Sequence, residues 1–288
     1  TTLEEVMNRK EFLRNSLAAA AVLTVPAAAA PAEEHAEPVG FNHLPSVNTT
    51  TMNTVLHKAN TRGHANHGWL DSHHTFSFAH YYDPNRIHFG ALRVLNDDIV
   101  DGGMGFGTHP HDNMEIISIP LEGDLEHKDS MGNTAVIRQN DVQIMSAGTG
   151  IYHSEYNKNK DKKVNFLQIW VFPKKRNIEP RYDQITFRPQ DRVNKLQQIV
   201  SPSHEDDGVW INQDAWFNLG TFTKGFTTSY QLHQKGNGVY AFVIQGDVRV
   251  NGQLLNQRDG FGIWGVDGLE ISADSDAELL LMEVPMIK

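Results

Sequence analysis

Gly103-Met104-Gly105-Phe106-Gly107-Thr108-His109-Pro110-His111-Asp112-Asn113-Met114-Glu115 is the stretch that decides how the rest of this chain is read. Side chains alternate faces along a strand, so His109 and His111 share a side and Glu115 keeps their parity. The glycines ahead of them permit a tight turn. About forty residues on, Ala147-Gly148-Thr149-Gly150-Ile151-Tyr152-His153-Ser154-Glu155 repeats the device and delivers His153 and Glu155 at strand spacing. Three imidazoles and a carboxylate supply most of a metal's shell and leave room for a substrate. With 15 histidines in 288 residues, one His-x-His pair arises readily by chance. Two same-face pairs, each behind a glycine turn, do not, and they predict a metal site. Spacing alone leaves open whether Glu115 or Glu155 provides the carboxylate.

Outward from this centre, short strand-like runs recur. They are Asn53–Lys58, Thr75–Phe78, Ala91–Leu95, Met114–Leu121, Asp124–Lys128, Thr134–Arg138, Val142–Met145 and Asn165–Phe172. Turn signals such as Glu122-Gly123-Asp124 and Gln139-Asn140-Asp141 separate them, and no long helix interrupts the rhythm. The pattern predicts an antiparallel sandwich or barrel. The alternation at Thr75–Phe78 places both phenylalanines on one face. Upstream, His64, His67, His73 and His74 crowd together, but their spacing is irregular and no carboxylate sits at strand parity with a clean pair. They are read as buried, hydrogen-bonded and packed on aromatics.

Strands resume at Ala215–Thr223, Thr227–His233, Gly238–Gln245, Asp247–Asn251, Gly260–Trp264, Leu269–Ala273 and Glu278–Val284. This second set repeats the first without a His-x-His; His233 stands alone, so the second half reads as a structural barrel. The mixed stretch 173–215 is the expected crossing, and its Lys174–Arg176 run a solvated turn.

A formal charge of −10 without a basic stripe argues against nucleic acid as a partner. Apolar content is 39%, and no run reaches the ~20 residues a bilayer span needs. The absence of cysteine restricts any metal to nitrogen and oxygen ligands. Near the start, Arg9-Lys10-Glu11-Phe12-Leu13-Arg14 precedes the apolar Ser16–Val25 and an alanine run, with Met7 as a candidate initiator. A basic start, a short apolar segment and small residues make a secretory signal. It has a twin-arginine-like form in which lysine replaces the second arginine. The expected layout is a signal over 1–32, a flexible linker over 33–52, a metal-binding domain over 53–180 and a degenerate copy over 181–288. The expected location is periplasmic or exported.

Gly103-x5-His109-x-His111-x3-Glu115 followed by Gly123 resembles the first cupin motif, and Asp141 through Glu155 resembles the second in the form used by pirins. Arg62-Gly63…Gly68-Trp69-Leu70…Ser72-His73-His74-Thr75-Phe76-Ser77-Phe78 and His127-Lys-Asp-Ser-Met-Gly-Asn133 look like the bacterial pirin branch, which is associated with quercetin dioxygenase activity. The resemblance covers about residues 54 to 288. It implies an all-β fold of two antiparallel, jelly-roll-type cupin barrels packed face to face. One metal is implied in the first barrel, Fe(II) first with Mn, Ni, Cu, Co or Zn as alternatives, held by His109, His111, His153 and Glu155. The expected protein is a monomer that acts on a flavonol-like aromatic and dioxygen. Glu155 is the first candidate base and Glu115 the second. Phe106, Met114, Ile116 or Ile144 would line the barrel and exclude water. The competing readings are a metal-binding, redox-sensing interaction module and a non-oxidative cupin enzyme.

Overall fold

The computed structural model describes residues 51–287, so the expected signal and most of the linker lie outside the described residues. These residues form four sheets, antiparallel except where Leu196–Ser201 runs parallel to Val209–Trp210, that pair into two barrels. In the first barrel, a seven-stranded sheet holds Arg181–Thr186, Asp141–Ser146, Glu115–Glu122, Val164–Val171, Leu92–Val100, Leu70–His74 and Gly63–Asn66. A four-stranded sheet of Gly105–His111, Ile151–Asn157, Asp124–Asp129 and Thr134–Arg138 closes it. The second barrel repeats the seven-plus-four plan over the remaining strands. Among the described residues, the helical elements are the 3-10 turns Ala59–Thr61 and Pro189–Arg192. None of the helices is long and apolar enough to cross a membrane.

Both large sheets are buried on two faces, and residue parity assigns each face. Along Val164–Val171, Leu167, Ile169 and Val171 join the core between the barrels, whereas Val164, Phe166 and Trp170 join the core inside the first barrel. In the second barrel, Tyr240, Phe242 and Ile244 face the partner barrel while Val239, Ala241 and Val243 face inward. A strand covered on both sides reads as a nearly unbroken apolar run, as here. Any polar residue at inward parity is therefore conspicuous, and Ser118 and Gln168, opposite one another, are two such residues.

The large sheets also exchange strands across the boundary expected at 180/181. Asn53–His57 pairs with Gly260–Trp264 in the second barrel, and Arg181–Thr186 pairs with Asp141–Ser146 in the first. Hydrophobic rhythm finds strands but does not say which edge each one joins. Thr75–Phe78 is not a strand. The strand ends at His74, and the irregular turn that follows sends Phe76 into the core between the barrels and Phe78 into the first barrel. Ile144 likewise faces the second barrel, while Phe106, Met114 and Ile116 belong to the inner cluster. In the turn Gln139-Asn140-Asp141, Asn140 takes the left-handed backbone, at φ 74°.

Candidate metal centre

Gly105–His111 and Ile151–Asn157 run antiparallel, with His109 opposite His153 and His111 opposite Ile151. The strands approach closely because Gly105 lacks a side chain; a Cβ there would lie 2.2 Å from the carbonyl oxygen of Glu155. The register shifts by one between His153 and Glu155, with the extra residue on the Gly105–His111 strand, and Glu155 keeps the buried parity of His153 by ordinary alternation. The ring centroids of His109, His111 and His153 lie 4.4 to 4.9 Å apart. One ligating atom from each of the three falls within 4.8 Å of the others.

The protonation pattern suits a cation. His109 Nδ1 donates to the carbonyl of Gly107 at 2.7 Å, which leaves the Nε2 lone pair as its available ligand. Both ring nitrogens of His153 are buried without a hydrogen-bond partner, an arrangement that is costly unless something else satisfies them. Burial lowers the pKa of all three rings, well below the usual histidine value for His111 and His153. Neutral imidazole is the metal-binding form. A divalent ion fits these donors: it would occupy the nitrogens that hydrogen bonding leaves unused.

Glu155 is buried two residues beyond His153 on the same strand, but its carboxylate is not among the ligating atoms that converge within 4.8 Å. Ser118 Oγ donates to its Oε1 at 2.9 Å and Gln168 Nε2 donates to its Oε2 at 2.7 Å. Burial pushes its pKa up to about 7, against the lowering effect of the two hydrogen bonds. Glu115 is not brought to the trio. Asn113, at φ 45°, turns the backbone after His111, and Glu115 begins a strand of the other sheet. It shares parity there with Ile117 and Ile119, facing the second barrel, where Ser146 Oγ donates to its Oε2 at 2.7 Å and the amide of Asn212 at 3.2 Å. Burial raises its pKa, and those bonds and Arg181 oppose the rise.

Several residues around the trio escaped the sequence reading. His127 Nε2 donates to Asp129 Oδ2 at 3.0 Å, and its ring lies 4.6 Å from Tyr182 and 5.4 Å from His153. Trp170 meets His111 edge-on at 4.9 Å. Asp98, pushed up to about 8 by burial, accepts a short bond from Ser72. None of these was singled out for a role, although His127, Asp129 and Ser72 lie in stretches that carry the family resemblance. Their signal was a polar side chain at inward parity on an otherwise apolar strand, which becomes readable only once the faces are known. In the second barrel, His233 stacks on Trp216 and its Nδ1 lies 3.1 Å from the buried Glu283.

The turn that delivers His153 depends on Gly148. Its φ is +48°, and a Cβ would sit 2.1 Å from the carbonyl oxygen of Ile178. Gly148→Ala is expected to destabilise the protein by about 2–4 kcal/mol through left-handed strain and overpacking. Urea denaturation of the two proteins side by side measures this. An unchanged midpoint would mean that the Ile178 segment yields freely.

The Pirin family model matches residues 55–171, and that of the quercetinase C-terminal cupin domain matches residues 198–284. An Escherichia coli protein named quercetin 2,3-dioxygenase is 47% identical over 232 residues, covering 81% of this chain and 99% of that one. A putative quercetin 2,3-dioxygenase of Pseudomonas aeruginosa is 41% identical over 223 residues, covering 77% and 95%. Among solved structures, the bacterial pirin YhhW from Escherichia coli in complex with nickel(II) matches with a TM-score of 0.77 at 45% identity, over 82% of this chain and 100% of that one. With both barrels matched in order and the imidazole trio formed in the first, this chain belongs to the pirin family.

Proposed function

We propose that the protein is a metal-dependent dioxygenase, with Fe(II) as its working metal, that cleaves flavonol-type substrates such as quercetin. The observation that carries this reading is His153, buried with both nitrogens unpartnered amid two further neutral imidazoles. His109, His111 and His153 would hold the ion, and Glu155 would complete the set. The bound metal would supply an open coordination position and the redox chemistry that dioxygen requires.

The protein's own residues do the rest. Ser118 and Gln168 fix the Glu155 carboxylate by one hydrogen bond to each oxygen, the kind of support that orients a ligand or a base. With its pKa near 7, Glu155 is suited to taking the proton of a substrate hydroxyl near neutral pH. Trp170 and the inner apolar cluster keep water from the trio and offer flat apolar surface to an aromatic ring. The names of the relatives support the flavonol as substrate.

The test is oxygen uptake by the iron-loaded protein with a flavonol panel, followed together with loss of the flavonol absorbance. Matched consumption of oxygen and flavonol is expected. Full metal occupancy without oxygen uptake would favour a binding module or a non-oxidative enzyme instead. Glu155→Gln should lower turnover by about 100-fold while lowering metal content much less. Wild-type turnover in that variant would remove the base assignment. An exported location is proposed on the Arg9–Arg14 leader pattern and is tested by fractionating the native host.

A further inference from the structure

The histidines near the start of the first barrel do not all behave as packing residues. His74 is buried, with Nε2 2.8 Å from Ser72 Oγ, as expected of a structural histidine. His64 and His73 differ. They face each other directly across the antiparallel pair Gly63–Asn66 and Leu70–His74, and Asp71 lies two residues before His73 on the same face. The missing carboxylate at strand parity is therefore present, two residue pairs along the ladder. His64 Nε2 lies 2.7 Å from Asp71 Oδ1, and His73 Nδ1 lies 3.9 Å from the same oxygen. The ligating atoms of all three fall within 4.8 Å of one another, and the two rings are stacked with centroids 4.5 Å apart.

We propose that His64, Asp71 and His73 form a second metal site, for a divalent ion of the zinc, copper and nickel class, that ties the edge strand Gly63–Asn66 to its neighbour. Imidazole nitrogen and carboxylate oxygen are the donors such ions select. Bonds of 2.0–2.2 Å in a tetrahedral shell set donors about 3.3 Å apart. The spacings found here bracket that value, and side chains 34 to 51% exposed can close the difference by small rotations. The carboxylate brings one negative charge to two imidazoles in a chain of net charge −10. Burial, with Arg62 and His64, lowers the His73 pKa and keeps its lone pair free. Arg62 is itself neutralised by Asp97, which it shares with Arg258. The site is separate from the His109 trio, which sits on the four-stranded sheet.

The experiment uses the full chain and zinc alone as probe, with metal counted after equilibrium dialysis. Wild type is expected to bind two ions. The His64→Ala, His73→Ala double variant should bind one, and so should His109→Ala, each losing a different ion. Asp71→Asn should weaken the second ion at least tenfold. In crystals of the zinc-loaded protein, an anomalous peak should lie within bonding distance of His64, Asp71 and His73. A double variant that binds as many zinc ions as wild type, with equal affinity, overturns the proposal; so does zinc-loaded protein with no zinc density between His64, Asp71 and His73. All three positions are at least partly exposed, so a folded β signal is expected in every variant of this site.

Discussion

Replacing His153 by alanine should strip the protein of its metal and of its turnover while leaving the circular dichroism of a β protein intact. The same outcome is expected for His109→Ala. Either change removes one of three converging nitrogens, and losing a ligand should cost more than the 10- to 100-fold in affinity typical of altering a ligand's supporting partner. The barrel should survive, because its inner cluster of Leu125, Ile137, Phe166 and neighbours is independent of the imidazoles. In the metal-free state the His153 variant should match wild type to about 1 kcal/mol, since the buried ring it removes has no hydrogen-bond partner to lose. Wild type alone should then gain stability on adding metal, by mass action on the folded state. Metal analysis, activity and thermal melting with and without the ion check all three parts. Unchanged metal stoichiometry in both variants would contradict the site.

Tyr240→Ala should be among the most destabilising single changes available in the core. Its ring is fully buried between the barrels, with Phe76 at 5.5 Å and Phe89 at 5.4 Å, and its hydroxyl lies 2.8 Å from His57 Nδ1. Truncating a buried aromatic costs about 3–5 kcal/mol. The orphaned His57 nitrogen, buried and pushed down to a pKa of about 4 by desolvation, adds about 1–3 kcal/mol more. Tyr240→Phe orphans the same nitrogen while keeping the ring, and should cost about 1–3 kcal/mol. Equal urea midpoints for the two variants would show that the ring packs less tightly than its burial implies.

The metal centre was legible in the sequence because its pieces are local. A strand repeats every two residues, so His-x-His and His-x-Glu declare a shared face by themselves. The Glu115 parity failed because Asn113 takes a left-handed turn, and a single such residue reverses the face of all that follows. The strands of the barrels were legible for the same local reason, but their partners were not. The edge that Asn53–His57 joins depends on residues two hundred positions away, and nothing in its own side chains encodes that distance. Ser118 and Gln168 were missed because an isolated serine or glutamine in a strand usually faces solvent, and only the two-sided burial of the sheet makes them lumen residues. The pair His64 and His73 was missed although Gly68-Trp69 closes the hairpin between them as a two-residue loop with Gly68 at φ 79°: nine positions apart in the chain, the two rings meet only once that register is laid down.

The traded strands set a timetable for biogenesis. Asn53–His57 leaves the ribosome early, but the strand it must zip onto, Gly260–Trp264, is among the last to emerge. At ordinary rates of translation the delay is roughly 10 to 40 s. Throughout that interval the nascent chain carries Asn53–His57 without its partner strand. The first barrel is not complete until Arg181–Thr186 has also been made, so cutting the gene at the apparent midpoint would deprive each product of a strand supplied by the other. The first barrel can therefore close once residue 186 has been made, whereas the second must wait for Gly260–Trp264 to take up the strand that was synthesised first.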